Sequence, residues 1–435
     1  MLHYYVWLAA RSVRRNPALT ALMVLAIGIG IGASITTLTV LRVLSGDPLP
    51  QKSDVLFYPQ LDPQDSNDYR PGEEPPNQLT YVDAMSLLNA NRADRQAVMS
   101  GGAAALVPDK QGLDPFAVDL RYTTADFFAM FEVPFLHGSP WSATEDAAHE
   151  RVVVISRELN DKVFDGGDSV GRMLRLDDHD FRVVGVLDAW RPNPHFYDLN
   201  TGNYDDSEDA FVPLDSAIDL GMGRHGSMDC FGDEPLSPDE TLRSPTCSWL
   251  QFWVELATPE KQQAYENFLV AYSEEQRALG RFERPTNVRL RGLMEWLDYQ
   301  KVVPGDVRLQ VWMSFGFLLV CLVNTTGLML AKFLGRSSEI AVRRALGATR
   351  RSIFAQFLLE AGAVGAVGAV LGLALALAGL AAVRLQPVDY AELAHLDVWM
   401  FGAALAMALV ASLLAGLLPA WQACSVAPAL QLKSE

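Results

Sequence analysis

The sequence predicts a membrane protein with four transmembrane α-helices and a large α+β domain inserted between helices 1 and 2. Two observations support this fold class. One long apolar run lies near the start of the 435 residues, and three more follow in the C-terminal third. The charge is divided to match, because segment 45–306 holds 46 acidic and 22 basic side chains, whereas the remaining pieces hold 6 and 13. An acidic centre between basic, apolar ends indicates two solvents rather than one soluble globule.

The first predicted span is 18–44, and the segment 1–17 before it is expected to be amphipathic and cytoplasmic. At about 1.5 Å per residue, this run is long enough to cross a hydrocarbon core of about 30 Å. Arg11, Arg14 and Arg15 precede it, so a secretory signal peptide must be considered. The apolar run is much longer than the roughly 7–15 residues of such a segment, and an uncleaved anchor is therefore expected.

Three further apolar runs are long enough to cross the bilayer. The connection 332–352 carries six basic side chains against Glu339, whereas the connection 384–396 is acidic on balance. By the positive-inside rule, 332–352, the N-terminus and the tail 423–435 are cytoplasmic, and 45–306 lies on the opposite side of the membrane. The three spans are predicted at 307–331, 353–383 and 397–422.

Small residues at helical spacing indicate where these spans pack together. Gly28 and Gly32 lie in the first span, and Gly368 and Gly372 lie in the third. Small side chains let helix backbones approach closely in lipid, although ordinary membrane-helix composition is an equally good explanation. No Asp, Glu, Lys or His lies in the middle of a predicted span, and Glu360 comes closest. An ion pathway normally needs such groups deep in the membrane, so an ion-coupled carrier is disfavoured.

The inserted segment alternates helical and strand-like patterns. Thr124 is placed to cap the second of its helices, and the last strand, helix and strand are expected to form a βαβ unit. Helices are predicted at 79–88, 124–131 and 259–279, and strands at 151–155, 173–176, 181–187, 250–256 and 287–290.

The stretch 191–248 is predicted to be rich in loops, and two features of it bear on function. An acidic cluster does not have the spacing of a calcium-binding loop and is expected to be solvated; it comprises Asp205, Asp206, Glu208 and Asp209. His195 and His225 are expected at the surface. Cys230 and Cys247 would lie outside the cytoplasm, where a disulfide closing a loop of about 18 residues stabilises a domain by about 3 kcal/mol. We predict this disulfide.

Catalytic, cofactor and nucleic-acid functions find little support. The sequence contains no His-Glu-x-x-His, Cys-x-x-Cys or Gly-x-Ser-x-Gly motif, so no catalytic or metal-binding residue is predicted. It also contains no Gly-x-x-x-x-Gly-Lys-Ser/Thr loop. We therefore expect no cofactor on this chain; if ATP drives it, a separate ATPase chain binds and hydrolyses the ATP with Mg²⁺. The chain has no dense basic face for a nucleic-acid partner.

The segment Ser337–Arg351, SSEIAVRRALGATRR, is the most specific in the sequence. It predicts a short helix that Gly347 ends, followed by a second helix that Thr349 caps. Such a helix between two spans is a natural contact for a moving partner, although its arginines also satisfy the positive-inside rule. The predicted contact residues are Glu339, Ile340, Val342, Arg343, Arg344, Leu346, Gly347, Thr349 and Arg350.

Several segments resemble the MacB and FtsX type of ABC transporter permease. RSVRRNPALTALMVLAIGIGIGAS resembles the first span of that family, DLRYTTADFFAMFEVPFLHGSPW resembles its periplasmic core domain, and EIAVRRALGATRRSIFAQFLLE resembles its coupling loop and third span. The resemblance implies a dimer of four-span subunits in a bacterial inner membrane, bound to a pair of ABC ATPases. The ATPase that is fused in MacB is not expected on this chain. The resemblance also implies a periplasmic domain of two lobes, the first about 51–135 and 249–292 and the outer lobe about 140–248.

This resemblance implies a permease that transmits ATPase motion to its periplasmic domain and drives efflux, with a periplasmic adaptor and an outer-membrane channel as further possible partners. Lipoprotein release and regulation of a cell-wall hydrolase are the alternatives within the family, and an anchored periplasmic sensor or enzyme is the alternative from another class. Pro304 and Gly305, just before the second span, are either a hinge for this motion or a plain helix boundary.

Overall fold

The computed structural model describes residues 17–67, 69–204, 206–231, 238–386, 390–391 and 393–425. Residues 1–16, with Arg11, Arg14 and Arg15, lie outside the described residues, as do Asp205 and the end of the predicted tail, 426–435. The described helices are α1 Pro17–Leu44, α2 Tyr81–Ala90, α3 Asp126–Met130, α4 Ala143–Ala147, α5 Arg157–Phe164, α6 Leu214–Asp219, α7 Pro238–Arg243, α8 Pro259–Ala278, α9 Leu293–Tyr299, α10 Gly305–Leu334, α11 Ser337–Ala345, α12 Arg350–Arg384 and α13 Val398–Ser425. The described strands are β1 Leu56–Gln60, β2 Leu79–Thr80, β3 Arg95–Val107, β4 Phe116–Thr123, β5 Phe135–Gly138, β6 Val152–Ile155, β7 Met173–Leu176, β8 His179–Leu187, β9 Ala210–Pro213, β10 Gly223–His225, β11 Asp229–Cys230, β12 Cys247–Glu255 and β13 Arg289–Gly292.

These elements divide into two units. The helical unit contains the described residues up to Ser45 and from Val303 onward, and the inserted domain is Gly46–Val302. Four helices of the helical unit, α1, α10, α12 and α13, are long and apolar enough to cross a membrane, as the sequence predicts. They extend past the predicted spans at several ends, because polar residues continue a helix beyond its apolar run. Thr349 shows this at the start of α12, where its side chain accepts a hydrogen bond from the backbone N–H of Ser352 at 3.3 Å.

One sheet of thirteen described strands forms the centre of the inserted domain. Its main path runs β13-β1-β12-β3-β4-β9-β6-β8-β5. Strand β1 pairs antiparallel with both β12 and β13, so the predicted βαβ unit is present with β1 placed between its two parallel strands. β4, from the first predicted lobe, pairs in parallel with β9, from the outer one. The sheet therefore continues across the predicted lobe boundary, and the lobe limits stay a prediction.

The predicted helices of the inserted domain are present with shifted ends. In α8, Tyr265, Leu269 and Tyr272 are buried in the same core as the central strands. The capping role predicted for Thr124 is wrong, because α3 starts at Asp126 without a side-chain cap. The Thr124 hydroxyl instead accepts a hydrogen bond from the Val98 N–H at 3.3 Å and joins this turn to β3.

The stretch 191–248 is more ordered than its polar composition predicts. It contains β9, α6, β10, β11, α7 and the start of β12. β9 is buried along its whole length because it lies between β4 and β6 in the sheet. Most of the stretch lies outside these elements, as its loop-rich composition predicts. The short elements were not predicted, because segments that pair with distant strands leave little periodic pattern in the sequence.

The predicted disulfide is present between Cys230 on β11 and Cys247 on β12. The two residues face each other across an antiparallel pair, with their Cα atoms 4.0 Å apart. Cys321, in α10, is a free cysteine in the described part of the chain, whereas the side chain of Cys424 lies outside it.

Replacing Cys230 and Cys247 with serine should lower the stability of the inserted domain by about 3 kcal/mol, because the disulfide closes a loop of this length. Thermal unfolding of the full chain measures the loss. Alkylation before and after reduction is the control, since Cys230 and Cys247 should react with the alkylating reagent only after the disulfide is reduced. An alkylated Cys230 in freshly isolated membranes contradicts the prediction.

A buried ionic cluster fixes part of the 191–248 stretch to the sheet. Arg121 on β4, which is 1% exposed, donates from Nε to Oε1 of Glu208 at 2.7 Å and also binds Asp198. The Tyr197 hydroxyl donates to Oε2 of Glu208 at 2.6 Å. His195 is 2% exposed, and its Nε2 lies 3.3 Å from Oε1 of Glu208.

This cluster corrects two sequence-based expectations. His195 and Glu208 are buried, although the sequence predicts a surface histidine and a solvated acidic cluster; Asp206 and His225 are exposed as expected. Burial acts to raise the pKa of Glu208, but Arg121 and His195 outweigh it and hold that pKa well below the ordinary carboxyl value. Glu208 is therefore ionised and neutralised inside the domain.

Candidate functional site

The connection between α10 and α12 contains the residues that the sequence singles out. α11 occupies most of it and ends at the cap residue Leu346. Gly347 follows with φ of +97°, a left-handed conformation that favours glycine. Thr349 then caps α12, so the chain reverses within a few residues between two capped helices.

One side of α11 packs against the two spans that flank it. Ile340 packs against the apolar core of the helical unit, to which Phe333 of α10 and Phe357 of α12 contribute. The rings of Phe333 and Phe357 stack with their centroids 4.2 Å apart. Arg343 donates to Oε1 of Glu339 at 2.6 Å and to Oε1 of Gln356, on α12, at 3.0 Å. Apolar and polar contacts therefore both hold α11 against α12.

Behind α11, a buried charged triad joins α10 to α12. Glu360 is 3% exposed, and its Oε1 lies 2.7 Å from Nζ of Lys332, which is also buried. Its Oε2 lies 3.2 Å from Nη1 of Arg336, two residues past the end of α10. Since Arg336 directly precedes α11, the triad connects the start of α11 to both spans.

The pairing of these three charges was not predicted from the sequence. A signal was available, because Lys332 and Arg336 are four residues apart, a spacing that would place both on one face if the helix continued. Glu360 is the acidic residue of the third predicted span, and such a group requires a partner in an apolar environment. The missing information was which helix faces α12.

The opposite side of α11 is exposed and mostly apolar. The exposed fraction is 55% for Val342 and 83% for Leu346. Gly347, Thr349 and Arg350 are exposed beside them, and Arg344 is half-buried. We use the term outer face of α11 for three exposed side chains: Val342 on α11, Leu346 at its C-cap and Arg350 at the start of α12. The predicted contact residues therefore divide into an inner set that anchors α11 and an outer set that is accessible.

The four predicted packing glycines lie where α1 meets α12. A Cβ atom on Gly28 would lie 2.8 Å from Cδ2 of Leu371, and one on Gly372 would lie 3.1 Å from the Gly28 carbonyl oxygen. Cβ atoms on Gly32 and Gly368 would likewise lie 2.8 Å from carbon atoms of the facing helix. Larger side chains would force the two backbones apart.

Pro304 and Gly305 lie at the start of α10. Pro304 occupies the N-cap position, and Gly305 is the first helical residue. This placement agrees with a helix boundary, and a hinge at these residues stays a prediction.

Among the described residues, no group of three or more His, Cys, Asp and Glu side chains is arranged to hold a metal ion. In the buried cluster of the inserted domain, the acidic groups Asp198 and Glu208 are paired with Arg121.

Two family models together match most of the chain. A model described as MacB-like periplasmic core domain matches residues 20–270, and one described as FtsX-like permease C-terminal matches residues 311–428. The α10–α12 connection lies within the second match.

The chain is also similar to curated export proteins. The macrolide export ATP-binding/permease protein MacB of Wolinella succinogenes is 24% identical over 439 residues, covering 98% of this chain and 60% of that protein. The pyoverdine export ATP-binding/permease protein PvdT of Pseudomonas savastanoi pv. phaseolicola is 26% identical over 327 residues, covering 71% of this chain and 42% of that protein. The chain thus spans about two fifths to three fifths of the length of these relatives.

Among solved structures, the periplasmic region of MacB from Actinobacillus actinomycetemcomitans aligns with 61% of this chain and 100% of its own length. The TM-score is 0.38 and the sequence identity 11%. A domain of a putative permease from Porphyromonas gingivalis aligns with 55% of this chain and 90% of its own, with a TM-score of 0.37 and 14% identity.

Proposed function

Because the chain belongs to the family of transporter permeases that joins a MacB-like periplasmic core domain to an FtsX-like permease domain, we propose that it is the membrane subunit of an ATP-driven exporter. In this proposal a separate ABC ATPase binds and hydrolyses ATP with Mg²⁺, and this chain transmits the resulting motion to its periplasmic domain. The protein names of two relatives, one for macrolide export and one for pyoverdine export, favour efflux over lipoprotein release or hydrolase regulation.

The proposed orientation follows from the charges on the connections. Positive charge in short loops stays on the cytoplasmic side, so α11 and both termini face the cytosol of a bacterium with an inner membrane. The inserted domain, which has the acidic excess, then lies in the periplasm. Its disulfide supports this side of the membrane, because such bonds persist in oxidising compartments.

The observation that carries the proposal is the two-sided character of α11. Its inner side is attached to α12 through Ile340 and Arg343, and the Lys332–Glu360–Arg336 triad ties its start to both spans. Its outer face exposes Val342 and Leu346, which contact no core. An exposed apolar pair beside arginine is typical of the centre of a protein interface. A partner that binds the outer face of α11 would, on changing its conformation, move α10 and α12 together.

The assembly that we propose has two such chains and a pair of ATPases. The second permease chain is either an identical copy or a paralogue. A periplasmic adaptor and an outer-membrane channel complete the route for a cargo that starts in the periplasm.

Replacing Leu346 with glutamate should remove the ATPase contact without unfolding the chain. Leu346 is largely exposed, so its loss costs little packing, whereas a carboxylate in an apolar contact opposes binding. We expect at least about a tenfold loss of the ABC ATPase that co-purifies with the tagged full chain, as for an interface hot spot. Mass spectrometry of the material recovered from membranes measures it.

The matched control is Leu385→Glu, which changes an equally exposed leucine at the other end of α12. This variant should retain the ATPase. Equal recovery of the ATPase with Leu346→Glu and the unmodified chain, both inserted at normal levels, rejects the proposed contact. Recovery of no ATPase with the unmodified chain rejects the function.

A further inference from the structure

The inserted domain contains a cleft that the proposed function does not use. The cleft lies between α2, the start of β3, the turn 124–126, α4 and α6, and has a volume of about 510 Å³. This volume is within the range of clefts that enclose a small organic molecule. All of its lining residues belong to the inserted domain.

The lining of the cleft is acidic. Asp126, Asp146 and Asp215 contribute carboxylates, and no Lys, Arg or His is found among the described residues that line it. Two basic groups lie just outside the lining. His149 Nε2 is 3.9 Å from Oδ2 of Asp215 and its Nδ1 is 2.5 Å from Asp219, while Arg243 binds Asp219 at 2.6 Å and lies over the Tyr81 ring. The described lining residues themselves therefore carry only negative charge, which is least compensated at Asp126 and Asp146.

Hydrogen bonds hold these carboxylates in place. Asp146 accepts from Trp141 Nε1 at 2.6 Å and from the Ala125 N–H at 2.5 Å. Asp215 accepts from the Tyr81 hydroxyl at 2.8 Å. Each carboxylate oxygen has two lone pairs, so each group keeps acceptor capacity for a ligand.

The pKa of Asp146 indicates that the cleft favours a positively charged ligand. Burial raises the pKa of Asp146 to about 6, and the charges of Asp215 and Asp126 act in the same direction. Asp146 is still mostly ionised at neutral pH, so the cleft carries repelling charges that a bound cation would relieve.

Apolar groups and an unpartnered acceptor complete the cleft. Met85, Leu88 and Leu214 supply apolar surface. Gln96, which is 3% exposed, also lines the cleft, and its Oε1 has no hydrogen-bond partner in the described part of the chain. A protonated amine has only donors, and this is the complement of three carboxylates and a free amide oxygen.

We propose that this cleft binds small molecules in which a protonated amine is attached to an apolar body. The inference is independent of the proposed function, because binding in the cleft requires neither ATP nor a partner chain. A peptide or protein segment is disfavoured because the cleft is bounded by five elements and has the size of a small-molecule site.

The test uses monodansylcadaverine, a fluorescent primary amine with an apolar ring system, and its N-acetyl derivative, which keeps the ring and loses the charge. Binding to the purified full chain is measured by fluorescence titration. Asp146→Asn and Asp215→Asn should each weaken binding of the amine by about tenfold, as expected for loss of one charge-assisted hydrogen bond. The acetylated probe should bind weakly to every variant.

Asp178→Asn is the matched control, because the Asp178 side chain is 97% exposed and does not line the cleft. It should bind the amine like the unmodified chain. Thermal unfolding of each variant separates lost binding from lost folding. If Asp146→Asn is unstable, Asp215→Asn tests the proposal alone, because the asparagine oxygen can still accept the hydrogen bond from Tyr81. Equal binding of the two probes, or unchanged binding in both folded cleft variants, overturns the proposal.

Discussion

Replacing Arg121 with methionine should destabilise the inserted domain by about 3–5 kcal/mol, because it leaves the carboxylates of Asp198 and Glu208 buried without a counter-charge. For a domain of this size the thermal transition should fall by roughly 10 °C. Thermal unfolding of the purified full chain measures the change. Hydrogen exchange should also rise in 191–209, since the cluster attaches this segment to β4.

The matched control is Arg157→Met. Arg157 forms a salt bridge with Asp188 at 3.0 Å, but both side chains are about half exposed, so its loss should cost less than about 1 kcal/mol. If both arginine variants lose the same stability, the burial of the Arg121 cluster has no energetic consequence and our interpretation is wrong.

The penalty in Arg121→Met should shrink as the pH falls. In the unmodified domain the pKa of Glu208 lies below its unfolded value, so its stabilisation is present above about pH 4.3 and is lost as the pH falls through the folded pKa. In the variant, burial without Arg121 raises that pKa, and the carboxylate can accept a proton at mildly acidic pH. A difference in unfolding temperature that stays constant from neutral to acidic pH contradicts this electrostatic explanation.

The Arg121 cluster also shows which part of the structure could not be predicted from sequence. Arg121 and Glu208 are 87 positions apart, and they meet because β4 and β9 pair in parallel. No local pattern specifies such a pairing. The acidic neighbours of Glu208 therefore predict a solvated side chain, although the structure buries it. The four spans were predictable for the opposite reason, since an apolar run of sufficient length is a local property.

The same distinction applies to the candidate site. The caps and the reversal around α11 follow from Gly347 and Thr349, which act on their own neighbours. The contact between Gly28 and Gly372 was predictable as a tendency of small residues, but not as this pair of helices. The ion pairs of Glu360 with Lys332 and Arg336 could not be predicted, because the sequence does not show that α10 packs against α12.

Replacing Glu360 with glutamine should destabilise the helical unit by about 3–5 kcal/mol, because it removes the acidic partner of the buried Lys332 side chain and of Arg336. The aggregation temperature of the detergent-solubilised full chain measures this loss. Asp397→Asn is the matched control, since Asp397 forms an ion pair with Arg42 at 3.1 Å in which both side chains are about half exposed. Asparagine can also cap α13 as Asp397 does, so the control should be nearly neutral.

Adding Lys332→Met to Glu360→Gln should recover much of the lost stability, because the uncompensated charge is then removed. The double variant keeps the outer face of α11, so it should still recover the ABC ATPase that Leu346→Glu loses. It should nevertheless export less than the unmodified chain, since α10 and α12 are no longer joined by the triad. Full export by a stable double variant would show that the apolar contacts around Ile340 and Phe357 are sufficient to move both spans, and that the triad serves folding alone.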